Sequence, residues 1–162
     1  PDSGDFLFKK RGEQSSVSFT PQEVIALTRN PDTILYHNHP SNSSLSNADL
    51  EFTSEIGIKE IVAFATGDQG EYRASTNWST QEISRNYKHA DNYVRDRLWP
   101  MIRSNNVSGD DANIVHAHLV NTLLNKSGAI NYSPVKIGDR MQQAFGKLQP
   151  MFKDWLDDYD FS

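Results

Sequence analysis

Two histidines separated by one residue, at the end of a short apolar run, constrain this chain more than any other feature. Ile34, Leu35 and Tyr36 lead into His37-Asn38-His39-Pro40, and Ser46-Asn47-Ala48-Asp49 follows after a polar loop. The apolar run predicts a buried strand. Alternate side chains of a strand share a face, so His37 and His39 point one way and Asn38 the other. Asp49 then completes a set of two nitrogens and one oxygen. That is the ligand set of a zinc site that keeps one coordination position for water, with other first-row metals as alternatives. Ser46-x-x-Asp49 ahead of Leu50 and Phe52 is also a helix-start signature, with Ser46 as N-cap and Asp49 in the first turn. The two readings are compatible, because a helix capped there aims Asp49 back at the histidines.

At these residues the chain resembles the JAMM (MPN-plus) metalloprotease superfamily, whose pattern is His-x-His, a spacer, then Ser-x-x-Asp. The wording His-Asn-His-Pro-Ser is closest to the RadC-like branch, and the likeness covers roughly the first half of the chain. It implies a JAMM/cytidine-deaminase-like fold in which His37, His39 and Asp49 hold zinc (Zn2+) and Ser46 donates a hydrogen bond to the developing oxyanion. The spacer Pro40 to Leu45 is one residue shorter than is usual in that family. The family's catalytic glutamate lies upstream of the histidines, and Glu13 is the foremost candidate here. Asp5, Glu51, Glu55 and a residue preceding Pro1 are the alternatives. Similar modules stand at the ends of bacterial polymorphic toxins and phage head-associated proteins. The resemblance therefore implies a protein or conjugated-protein substrate, an inhibitory immunity partner and a site of action in a target-cell cytoplasm.

The remaining sequence bounds these expectations. A chain of 162 residues fits one compact domain, or one with an extension. A net charge of −5 disfavours a general phosphate-binding surface, so nucleic acid is the lesser partner. No run reaches transmembrane length, and the absence of cysteine excludes disulfides and thiolate ligands. The opening at Pro1 without Met reads as a segment of a longer polypeptide.

Taken in order, Phe6-Leu7-Phe8 and Ser15 to Phe19 predict a β-hairpin turning through Gly12-Glu13, with Lys9-Lys10-Arg11 as a solvated edge. Thr20-Pro21-Gln22-Glu23 opens a helix with a capping box. The histidine strand follows, then a helix from Ser46 to about Ile56 that stops at Gly57. Ile61 to Thr66 and Tyr72-Arg73-Ala74 are strands joined by the turn Gly67-Asp68-Gln69-Gly70. Residues 1–76 thus predict an α/β core, a mixed sheet sandwiched by helices. Residues 77–162 predict an all-helical extension packed on that core. In it, Ile83, Tyr87, Ala90, Val94, Leu98 and Met101 mark a long helix disrupted near Pro100. A second helix opens at Ser108-Gly109-Asp110-Asp111, and a third at Ser133-Pro134. Trp78, Trp99 and Trp155 are expected to anchor these helices, and Asp157-Asp158-Tyr159-Asp160 to form a solvated tail.

His116-Ala117-His118 repeats the histidine spacing on a helix, where residues two apart diverge, so these are expected to be structural. His89 is read in the same way. The leading functional expectation is a zinc-dependent hydrolase cleaving peptide or isopeptide bonds. A metal-dependent nuclease toxin and a catalytically inactive JAMM-fold binding module are the rivals.

Overall fold

Three helices of this chain begin with the same reciprocal capping device. Thr20 and Glu23 open α1 (Pro21–Thr28), Ser46 and Asp49 open α2 (Asn47–Ile56), and Ser79 and Glu82 open α3 (Thr80–Arg103). In each, a hydroxyl accepts the backbone N–H three residues on while the acidic side chain accepts from the cap residue's own N–H. Gly57, at φ 73°, stops α2 in the left-handed conformation that a side chain would strain. The computed structural model describes residues 6–10 and 18–161, which contain α4 (Gly109–Ser127), α5 (Asp139–Gly146) and α6 (Gln149–Asp158) besides these three.

Four strands, β1 (Ile34–His39), β2 (Glu60–Ala65), β3 (Gly70–Thr76) and β4 (Ile130–Lys136), form one mixed sheet in the order β1-β2-β3-β4. β1 and β2 are parallel and joined through α2, whereas β2–β3 and β3–β4 are antiparallel. Register places Leu35, His37 and His39 beside Ile61, Ala63 and Ala65. Those three β2 residues pair in turn with Ala74, Tyr72 and Gly70. This face carries the core: Ile61, Ala63, Ala65, Tyr72, Ala74 and Ile130 pack with Leu50 of α2, Ile83 and Val94 of α3, and Val115 and Leu119 of α4. Each large apolar side chain buried there contributes roughly 1.5–3 kcal/mol. The opposite face carries Tyr36 stacked on Phe64, and Tyr36 stays 51% exposed.

The second half of the chain is not all-helical. Ile130 to Lys136 is a strand whose Ile130, Tyr132 and Pro134 lie in register with Thr76, Ala74 and Tyr72. Ser133-Pro134 therefore sits in β4, and the third helix of this half begins only after Gly138. A proline removes one ladder donor, which an edge strand tolerates because its outer side has no ladder to complete. Pro100 lies inside α3 without ending it, and the helix runs on to Arg103. So close to the C-terminus a missing donor leaves little helix beyond it to disrupt. Trp78 and Trp155 pack against the core, but Trp99 is 55% exposed and anchors nothing there. The acidic end is not a free tail: Tyr159 is buried, and Lys126 donates to the carbonyls of Leu156, Asp157 and Tyr159. The predicted hairpin lies largely outside the described residues, and Phe6–Lys10 and Ser18–Thr20 carry no strand. No described helix is long and apolar enough to cross a membrane.

Candidate metal centre

His37 and His39 leave β1 on the core face of the sheet, where α2 approaches with its capped N-terminus. The geometry follows from two local rules, strand alternation and the capping box. Alternation puts both rings on one side. The cap turns Asp49 backward, so that its Oδ2 accepts from the Ser46 backbone N–H and from Ser46 Oγ, each at 2.7 Å. The Nε2 atoms of the two rings stand 2.8 Å apart. Asp49 Oδ1 is 3.1 Å from His37 Nε2, and Oδ2 is 3.2 Å from His39 Nε2. Among the described residues, these three form the one group of histidines and carboxylates whose ligand atoms all converge, each within 4.8 Å of the others.

The group can bind a metal ion. In a tetrahedral zinc site with bonds of about 2.0–2.1 Å, neighbouring ligand atoms stand roughly 3.3 Å apart. Against that figure the two Nε2 atoms stand 2.8 Å apart, while the contacts of 3.1 and 3.2 Å run from two different oxygens of Asp49, one to each ring. Electrostatics favour a cation too. Burial opposes ionisation of Asp49, yet the hydrogen bonds and charges of His37 and His39 overcome it and hold the carboxyl well below its usual range. Burial likewise opposes charge on His39, but Asp49 outweighs it and raises that imidazole above its ordinary value. A metal ion competes for the same lone pairs that the proton holds.

The two rings differ behind the centre. His39 Nδ1 faces the Ser43 carbonyl at 3.3 Å and Ser43 Oγ at 3.4 Å, which suits a proton on Nδ1 and a free lone pair on Nε2. His37 Nδ1 is buried with no partner among the described residues. Ser46, expected from the family likeness to donate to the oxyanion, donates its hydroxyl hydrogen to Asp49 Oδ2 and so positions that candidate ligand.

Other candidates fall elsewhere. Glu13 and Asp5 lie outside the described residues. Glu51 accepts from Asn47 Nδ2 at 2.8 Å, and Glu55 is exposed. Glu23 is held by its cap and by Lys10, 2.6 Å away. His116 meets Asp91 at 2.6 Å, His89 meets Tyr159 at 2.9 Å, and His118 is buried against Tyr132. None of the three joins His37 and His39. Sequence reasoning missed a polar cluster behind the loop after His39, made of Ser44, His118, Asn121 and Tyr132. Its members span 88 residues, and no spacing in the chain signals their meeting. The chain matches no protein-family model, no curated protein and no solved structure.

Proposed function

We propose that this chain is a zinc-dependent hydrolase of JAMM type that cleaves peptide or isopeptide bonds. The observation that carries the reading is the convergence of His37, His39 and Asp49 from a strand end and a capped helix start. Two imidazoles and a carboxylate are a donor set suited to zinc, and among the described residues no fourth histidine or carboxylate joins them. Held by these residues, zinc would supply Lewis acidity toward a carbonyl and toward water. The chain's own residues hold and orient the donors. Asp49 supplies negative charge, Ser46 holds that carboxylate in place, and Ser43 orients the His39 ring. The RadC-like wording of the motif supports an effector role within a larger bacterial or phage protein, which would meet an inhibitory partner.

A second reading, a JAMM-fold binding module without catalysis, is favoured by one observation. Among the described residues, no further carboxylate converges on the three ligand atoms to serve as a general base. Incubating the zinc-loaded protein with isopeptide-linked conjugates and unfolded polypeptide separates the two. Cleavage that is lost in His37→Ala supports the hydrolase, and loss in Glu13→Gln assigns the base. Zinc binding without cleavage of any such substrate supports the binding module.

A further inference from the structure

We propose that Ser44, Tyr132, His118 and Asn121 form a positioning clamp, a chain of hydrogen bonds from the second half of the protein that fixes the loop between the histidines and Asp49. The inference rests on the metal-centre reading and adds to it the residues that hold its geometry. The loop from Pro40 to Leu45 is tied locally by Ser41 Oγ to Ser43 Oγ at 2.7 Å and by Leu45 packing in the core. It is polar apart from Pro40 and Leu45, and Asn42 sits at φ 55°. Yet Ser44 and Leu45 are almost wholly buried, at 1% and 0% exposure.

Leu45 is buried as part of the apolar core, and the clamp gives the polar groups of this buried stretch their partners. Ser44 Oγ lies 2.7 Å from Tyr132 Oη and 3.2 Å from Asn121 Nδ2. Asn121 Nδ2 also donates to the Leu45 carbonyl at 2.9 Å, and Tyr132 Oη lies 2.8 Å from His118 Nδ1. One direction gives every hydroxyl hydrogen an acceptor within this set. Asn121 donates to Ser44, Ser44 to Tyr132, and Tyr132 to the bare Nδ1 of a neutral His118. Run the other way, the Ser44 hydrogen has no acceptor among these bonds, and a buried hydroxyl left unpaired is costly. Burial also disfavours charge on His118 and lowers its pKa to about 4, in keeping with the acceptor role.

Placement turns the clamp into a positioning device. His118 and Asn121 stand on α4 and Tyr132 on β4, both regular elements. One residue before Ser44, the Ser43 carbonyl faces His39 Nδ1; two residues after it, Ser46 holds Asp49. The clamp therefore grips the loop between the contacts that orient two of the three ligands. Partners bonded directly to metal ligands typically change metal affinity by about 10–100-fold, and the clamp acts one contact behind such partners.

The test measures zinc affinity by competition with a chromophoric chelator, alongside thermal unfolding, in wild type, Tyr132→Phe, Ser44→Ala and the double variant. Leu98→Ala, in the buried face of α3, serves as a destabilised control. Tyr132→Phe and Ser44→Ala are each expected to weaken zinc binding about tenfold. The double variant should be little worse than either, since both break one chain. Leu98→Ala should unfold earlier yet keep wild-type affinity. Each substitution removes a single hydroxyl oxygen from a different element, so either variant keeps the test open if the other fails to fold. Variants that unfold earlier but bind zinc as tightly as wild type overturn the clamp and leave the metal centre standing. A folded wild type that binds no zinc removes both.

Discussion

The Nε2 atoms of His37 and His39 stand 2.8 Å apart, with one oxygen of Asp49 offered to each ring. Two imidazole nitrogens at that distance must share a proton or a cation, because two N–H groups facing each other would clash. Asp49 sits at the third position of α2, where the helix N-terminus also favours negative charge. Strand, cap and helix dipole thus assemble one centre from residues 37 to 49.

Ser46 links folding to that centre. Its hydroxyl caps α2 and donates to Asp49 Oδ2 at 2.7 Å. Ser46→Ala should cost about 1 kcal/mol of stability in denaturant unfolding. It should also weaken metal binding, because Asp49 keeps only the backbone N–H of that pair. Stability lost with unchanged metal affinity would reduce Ser46 to a cap alone.

His118 gives a pH signature. Burial lowers its pKa to about 4 from an ordinary 6.5. Between those values the unfolded chain binds a proton that the folded protein resists, so stability falls as pH falls. The full difference of 6.5 − 4 = 2.5 units corresponds to about 3 kcal/mol. His118→Gln should be less stable at pH 7, having lost its bond to Tyr132, yet fall less steeply between pH 6.5 and 4. Urea unfolding at a series of pH values checks this, and parallel curves for the two proteins would contradict it.

Local signals were legible where local rules decide the outcome. The caps at Thr20 and Ser46, the stop at Gly57, the histidine strand and the convergence of His37, His39 and Asp49 all follow from spacing over fewer than fifteen residues. Features built by distant partners were not legible. β4 is recognised by its pairing with β3, and Ser133-Pro134 within it imitates a helix start. Trp99 was expected in the core because tryptophan buries well, but its position on α3 faces outward. The Ser44–Tyr132 contact joins residues 88 apart, and only the tertiary fold reveals it.

Because β4 completes the sheet, the two halves depend on each other. Tyr72 and Ala74 of β3 pair with β4 and are covered by the helical half. A fragment of residues 1–76 would expose that face to water and should lack a cooperative unfolding transition. Circular dichroism with thermal melting checks this, and a sharp transition in the fragment would show that the first half folds alone.

Zinc titration by calorimetry of chelator-treated, dialysed wild type, set beside His37→Ala and Asp49→Asn, tests the metal centre most directly. The expected result is one zinc per chain in the wild type and loss of that binding in both folded variants. A folded wild type that takes up no zinc or other first-row metal, or a His37→Ala protein that binds as the wild type does, would contradict it.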